Sequence, residues 1–355
     1  EGSSYYAQQR YYRPGLGRFN RVDPWEGDPL RPVTLNKYLY ANGNPLAYID
    51  PDGRIGIFVD GTGMDKDDPA QRRDIAITNV ARLYDLYRGP ATYLEGIGTR
   101  DQWAASEVVG RGFDERVARA YQDIVSVYND PNSTEEDRQI DIFGFSRGAA
   151  IATALTKKLQ EEGIPVVHRR QEWTRSNTWR TIETTEHVQA QIRFVGLFDT
   201  VSARGMPTDP GTLLDIFNVY DPLSVDWAKV GAVRHAVAAR EARTSFDLVS
   251  IKNCVSCELP SNAREEYFLG AHSNIGGGYG LSEGGNPLAI YPLSYMYREA
   301  RAQGVPLAEN ARLQEAMSEL AGKFSGLLNS GHDSRYWPDR LIGRQERTVY
   351  YGGGS

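Results

Sequence analysis

Cysteine is nearly absent from this 355-residue chain, and the two present sit together in Cys254-Val255-Ser256-Cys257. A structural zinc site would need two more ligands from elsewhere, and a redox Cys-x-x-Cys usually opens a helix. This one lies in a polar stretch between two expected strands, so the expectation is two partly buried thiols. Long apolar runs are missing as well. None approaches the roughly 18 residues of a membrane-spanning helix, and the first residues lack a charged start followed by a hydrophobic core, so neither a transmembrane segment nor a signal peptide is expected. Basic excess is missing: 40 Lys and Arg stand against 46 Asp and Glu, a net charge of -6, which argues against a long-lived nucleic-acid partnership. Histidine is scarce, with five residues, which narrows the search for a general base. Against these absences, 40% apolar and 24% charged residues are usual for a globular chain, and the length suits one α/β domain with an appendage.

The chain reads as two unequal parts. Residues 1–53 are dense in tyrosine, glycine, proline and asparagine (Tyr5-Tyr6, Tyr11-Tyr12, Pro14-Gly15, Asn42-Gly43-Asn44-Pro45), and short aromatic runs between turn dipeptides indicate a small β-hairpin appendage. Residues 54–355 alternate strand and helix. Ile55 to Val59 is an apolar run closed by Asp60-Gly61-Thr62-Gly63, and the helix after it carries Ile75, Val80, Leu83, Tyr84 and Tyr87 on one face. A helix over Asp114 to Tyr128, a strand at Ile140 to Phe143, a helix over Arg147 to Glu162 and a nearly continuously apolar strand at Ile192 to Phe198 follow. Beyond them the pattern predicts a helix over Trp227 to Arg243, a strand at Glu266 to Leu269 and helices at Pro292 to Ala302 and Arg312 to Phe324. Such alternation predicts a mostly parallel sheet flanked by helices, with ligands at the carboxyl ends of the strands.

Ser146 stands in Gly144-Phe145-Ser146-Arg147-Gly148, after a strand and before an alanine-rich helix. A Gly-x-Ser-x-Gly turn in that position lifts a serine hydroxyl above the sheet, with glycines where side chains would collide. A serine needs a base within reach and a group to orient that base. His272 follows the strand around Tyr267-Phe268-Leu269-Gly270 and precedes Ser273-Asn274-Ile275-Gly276-Gly277-Gly278, so it sits on an open loop at a strand end. His332 is the reserve candidate, His235 is expected inside a helix, and His168 and His187 precede the expected acid. That acid is Asp199, at the end of the most apolar strand, with Asp60 as its rival. The order Ser146, Asp199, His272 is that of the α/β-hydrolase fold. For an oxyanion, one backbone N–H is expected from Gly61 or Thr62 and the second from Arg147, each contributing about 3 kcal/mol. No cofactor or metal is called for. The segment Thr99 to Phe113, with Trp103, Val108 and Val109, is part of a lid or an interfacial patch, or else an ordinary surface loop.

Two resemblances attach to these residues. Tyr11-Tyr12-Arg13-Pro14-Gly15-Leu16-Gly17-Arg18-Phe19, Asp23-Pro24, Asn44-Pro45 and Asp50-Pro51-Asp52-Gly53 closely resemble the end of an Rhs repeat core. That resemblance implies a β-shell enclosing a C-terminal toxin that begins near residue 54, with Asp23 and Asp50 at the positions implicated in self-cleavage. One residue is inserted after Asp23-Pro24, and Arg54 stands where a leucine is usual. Phe58 to Gly63, Glu95 to Thr99, Gly144 to Ala149, Phe194 to Val201 and Gly270 to Tyr279 look like family 1 of the type VI secretion lipase effectors. Asn274 replaces that family's aspartate, and Ala239-Arg240-Glu241 its Leu-Asp-Glu run. This resemblance implies a Ser146-Asp199-His272 triad and hydrolysis of phospholipid acyl esters in an antibacterial effector. It further implies contact-dependent delivery into target cells, action at their membranes, and as partners secretion spike proteins, the remaining Rhs shell and an immunity protein. A soluble carboxylesterase or amidase toxin and an inactive hydrolase-fold binding module are the alternatives.

Overall fold

The computed structural model describes residues 55–73, 76–99, 106–129, 138–173, 179–201, 225–243, 246–252, 254–280 and 286–309, with short pieces at 5–7, 10–13, 18–19 and 349–350. In the N-terminal part, β1 (Tyr5–Ala7), β2 (Arg10–Arg13) and β3 (Arg18–Phe19) form an antiparallel sheet in that order. Asp23, Asp50, His332 and the helix expected at Arg312 to Phe324 lie outside the described residues.

The main part runs β4 (Ile55–Val59), α1 (Pro69–Arg73), α2 (Asn79–Leu86), β5 (Ala91–Leu94), α3 (Ser106–Tyr128), β6 (Gln139–Phe145), α4 (Arg147–Glu162), β7 (Ile164–Trp173), β8 (Trp179–Val188), β9 (Gln191–Phe198), β10 (Ala232–Ala238), β11 (Leu248–Val249), β12 (Ala263–Phe268), α5 (His272–Gly276) and α6 (Ile290–Ala302), with β13 (Val349–Tyr350) pairing β11. Six strands make one parallel sheet in the order β12-β10-β9-β6-β4-β5. The period of two along each strand splits the core between its faces. Ile55, Ile57 and Val59 of β4, Ile140 and Ile142 of β6, and Val195 and Leu197 of β9 pack with Val117, Tyr121 and Ile124 of α3 and Ile151 and Leu155 of α4. Phe58, Phe143, Phe145, Phe194 and Phe198 take the other face, with Val80 and Leu83 of α2 and Leu293 and Met296 of α6. Phe58 stacks on Phe143 at 4.9 Å between centroids. Burial on both faces explains why these strands read as apolar runs rather than alternating ones.

Several expectations are corrected. Trp227 to Arg243 is not a helix: Trp227–Lys229 forms one 3-10 turn, and Ala232–Ala238 is a strand buried at every position. Its alanines favour a helix, but pairing to β9 on one side and β12 on the other overrides that weak preference. His235 therefore lies in a central strand. His168 and His187 belong to β7 and β8, ten-residue strands paired antiparallel from Ile164↔Val188 to Trp173↔Trp179. The helix expected after β4 is divided into α1 and α2, with Thr78 accepting the Ala81 N–H as the cap of α2. Within the Thr99 to Phe113 segment, the residues from Ser106 onward are the start of α3. Cys254 and Cys257 form a disulfide instead of remaining thiols. Among the described residues, no helix is long and apolar enough to cross a membrane.

Candidate active site

The carboxyl ends of β4, β6, β9 and β10 meet where Ser146 sits. Ser146 has φ 60° and ψ -124°, a positive φ that a non-glycine residue adopts at a cost on the order of 1–3 kcal/mol. Its backbone N–H donates to Phe198 O at 2.9 Å, which ties the turn to the end of β9, and its carbonyl accepts the Ala149 N–H of α4 at 3.1 Å. Gly148 permits this approach, because a methyl there would collide with the carbonyl oxygens of Val59 and Asp60. The serine is 4% exposed, and its Oγ makes no hydrogen bond with a described residue.

One residue past β9, Asp199 also has a positive φ, 40°. Its side chain is wholly buried, and β10 grips it twice: the Asp199 N–H donates to Ala236 O at 2.7 Å, and the Ala238 N–H donates to Oδ1 at 2.9 Å. Oδ2 is then left facing His272 Nδ1 at 2.6 Å. An ionised carboxylate can only accept, so the imidazole carries its proton on Nδ1 and keeps the Nε2 lone pair. The ring of His272 lies against Phe145 at 4.8 Å, the residue before Ser146, and against the edge of Phe246 at 4.7 Å. Thus the serine turn, the acid and the base expected from sequence are brought to one place.

A further acid, Glu241, was not singled out from the sequence as a site residue. Its carboxylate accepts the His272 N–H at 3.0 Å and the N–H groups of Ala242 and Arg243 at 2.9 and 2.8 Å, and it pairs with the Arg243 side chain. Burial alone pushes this carboxyl up, but the hydrogen bonds and charge of Arg243 and the His272 N–H outweigh it and hold it at about 2. The Arg243 guanidinium stacks on Phe246 at 3.4 Å, so one clasp holds both the backbone of His272 and one edge of its ring. The visible signal was the Glu-x-Arg spacing, which means nothing until β10 and α5 are brought together.

Asp60, the rival acid, is committed elsewhere. It accepts the Tyr93 hydroxyl at 2.6 Å, the Thr78 hydroxyl at 2.7 Å and the Gly61 N–H at 2.7 Å. Burial pushes its carboxyl up to about 6 against these bonds. Of the expected oxyanion donors, Gly61 is therefore engaged, whereas the Thr62 and Arg147 N–H groups make no hydrogen bond with a described residue. The 60–64 loop is fastened to the 95–98 loop by Gly63 N–H to Ile97 O at 2.9 Å and Gly96 N–H to Met64 O at 2.8 Å. A side chain at Gly96 would strike Gly61 O. Burial also pushes the Arg147 guanidinium below its ordinary value, and it forms no ion pair with a described residue. Asn274, in place of the expected aspartate, caps α5 by accepting the Ala271 N–H at 3.0 Å.

A parallel sheet carrying a strained serine turn beside a buried histidine–aspartate pair defines a serine hydrolase of the α/β-hydrolase type. The chain belongs to the family described as "T6SS, Phospholipase effector Tle1-like, catalytic domain", whose model matches residues 54–187 and 165–299, more than half of its length. A crystal structure of an uncharacterized protein from Pseudomonas aeruginosa is similar in fold, with a TM-score of 0.52 and 22% identity, covering 81% of this chain and 52% of that one. The Tle1 effector bound to the VgrG spike from the type 6 secretion system matches at TM-score 0.38 and 20% identity, covering 65% of this chain and 52% of that one. A tRNA(Glu)-specific nuclease, WapA, from Bacillus subtilis subsp. natto is 40% identical over 64 residues, 18% of this chain and 3% of that protein. The chain thus spans about half the length of these two solved structures and a small fraction of the nuclease.

Proposed function

We propose that this chain is the catalytic module of an antibacterial phospholipase of the A type, with Ser146 as nucleophile, His272 as base and Asp199 as the acid that orients it. The observation that carries the reading is the 2.6 Å bond between His272 Nδ1 and Asp199 Oδ2 at the strand ends beside the Ser146 turn. In this reading Ser146 Oγ attacks the ester carbonyl while its proton passes to His272 Nε2. The tetrahedral oxyanion is received by the N–H groups of Thr62 and Arg147, with Gly61 left to its Asp60 bond. The carbon–oxygen bond to the lysophospholipid breaks as His272 returns the proton, leaving an acyl-serine. Water then donates a proton to His272 and attacks the acyl-serine, releasing fatty acid and restoring Ser146.

Membership of a phospholipase effector family supports the lipid substrate. Arg147, next to the nucleophile and without an acidic partner among the described residues, supports an anionic phosphodiester in the site. By the same family membership we assign delivery into target cells by a type VI spike, action at their membranes and neutralisation by an immunity protein. Residues 1–53 are assigned to the end of an Rhs shell, with Asp23 and Asp50 at its self-cleavage positions, and residues 54–355 to the toxin. Vesicles of phospholipid carrying different acyl labels at the two glycerol positions test the reaction. Release of free fatty acid and lysophospholipid, faster than hydrolysis of soluble short-chain esters, is expected. Preference for short soluble esters with no response to vesicles or micelles would instead identify a soluble carboxylesterase.

A further inference from the structure

A second histidine–carboxylate pair is buried behind the first. His235, at 0% exposure on β10, places Nδ1 3.1 Å from Oε2 of Glu265, its Cα partner on β12. Glu265 also accepts the Ser250 hydroxyl at 2.9 Å and the Ile251 N–H at 3.1 Å. Burial alone pushes Glu265 up, and the hydrogen bonds from His235, Ser250 and Ile251 oppose it and favour the ionised carboxylate. Facing an acceptor-only carboxylate, Nδ1 bears the proton. On the opposite side the Thr200 N–H points at His235 Nε2 from 3.2 Å, and the Thr200 hydroxyl lies 3.1 Å from the same atom. A backbone N–H can only donate, so Nε2 must offer its lone pair. Both contacts select the same neutral tautomer, and Thr200 is the residue after Asp199.

We infer that His235 and Glu265 form a positioning dyad for the acid of the site: the Nε2 lone pair holds the Thr200 N–H, and with it the turn that aims Asp199 at His272. The inference rests on the triad reading. Three contacts from β10 fix that turn, at His235, Ala236 and Ala238, and only the first is made by a side chain of β10. The network closes on itself, because the Val249 N–H donates to Thr200 O at 2.9 Å and the next residues, Ser250 and Ile251, hold Glu265. Without an acceptor at Nε2, a buried N–H is left unsatisfied on a turn already at positive φ, and the turn relaxes. The Asp199–His272 bond relaxes with it.

The test compares His235→Gln, whose side-chain carbonyl replaces the Nε2 acceptor, with His235→Leu, which removes it. Steady-state ester hydrolysis and thermal melting are measured for both, with Ser146→Ala and Asp199→Asn as controls. The expected result is a loss in kcat of roughly ten- to a hundredfold for His235→Leu with KM nearly unchanged, and recovery to within about threefold of wild type for His235→Gln. A folded His235→Leu with wild-type kcat overturns the inference, as does equal loss in both variants. If Ser146→Ala and Asp199→Asn keep full activity, the triad reading itself fails; if they are inactive while His235→Leu is not, only the dyad fails. Nitrogen NMR of wild-type protein labelled in its five histidines reads the tautomer directly and needs no variant to fold. A proton on Nδ1 and none on Nε2 of His235 at neutral pH is expected, and a proton on Nε2 contradicts the assignment.

Discussion

Replacing Asp199 by asparagine keeps the shape of the side chain but removes its charge and turns one acceptor into a donor. The side chain keeps its volume in a fully buried site, and Oδ1 still accepts the Ala238 N–H at 2.9 Å. The amide nitrogen then occupies the position of Oδ2, 2.6 Å from His272 Nδ1. Two donors cannot face each other at that distance, so the imidazole moves its proton to Nε2 and loses the lone pair that takes the Ser146 proton. The loss expected of such a tautomer switch is about 10⁴ in kcat, or about 5.5 kcal/mol in the barrier, with KM little changed. Rates on a soluble ester with a colorimetric leaving group measure it, and a melting curve beside them checks that the fold survives. A folded Asp199→Asn enzyme within tenfold of wild type would refute the orienting role given to Asp199.

Three other outcomes are expected. Glu241→Gln keeps an acceptor for the His272 N–H only by turning its amide nitrogen onto the Ala242 and Arg243 N–H groups, and it breaks the ion pair with Arg243, so kcat on the same ester should fall at least roughly tenfold with a lowered melting temperature; unchanged kcat would make the clasp purely structural. Arg147→Gln should raise KM for phospholipid by about tenfold while leaving KM for an uncharged ester of the same acyl chain near wild type, and an equal rise for both would remove the phosphodiester contact. Denaturation across pH separates two opposite linkages. Asp60, at about 6 when folded against an ordinary 3.8, adds about 3 kcal/mol that is complete below pH 3.8 and lost as pH rises through 6; Glu241, at about 2 against 4.5, adds about 3 kcal/mol that is complete above pH 4.5 and lost as pH falls towards 2. Asp60→Asn should flatten the fall between about pH 5 and 7; a variant whose profile parallels wild type there would contradict the assignment to Asp60.

The residues bearing the candidate chemistry were legible because each marks a strand end with a local signal. Gly144 to Gly148 announces a tight turn, Asp199 closes a nearly unbroken apolar run, and His272 opens a glycine-rich loop. What joins them was not local. β10 was misread as a helix because alanine at positions 232, 236 and 238 scores as helical, while its burial between β9 and β12 exists only in the folded sheet. With the strand went its grip on Asp199 and the pairing of His235 with Glu265, since cross-strand register has no signature in a single sequence. Glu241 was passed over for the same reason: it touches a histidine 31 positions away. The disulfide was missed because Cys-x-x-Cys spacing fits a bridge, a metal site or two thiols equally well. The long β7–β8 hairpin lacks the alternation that flags a strand, because apart from Ile182 its described side chains from Arg170 to Glu186 are polar and exposed on both faces.

The central claim is that Ser146 is a nucleophile activated by His272 and Asp199. A fluorophosphonate reacts covalently with such a serine, so intact-mass measurement and peptide mapping after brief exposure test it most directly. One adduct per chain is expected on the peptide containing Ser146, absent in Ser146→Ala and formed at least about a hundredfold more slowly in His272→Ala. An adduct on any other residue, or labelling of Ser146 at the same rate without His272, would contradict it.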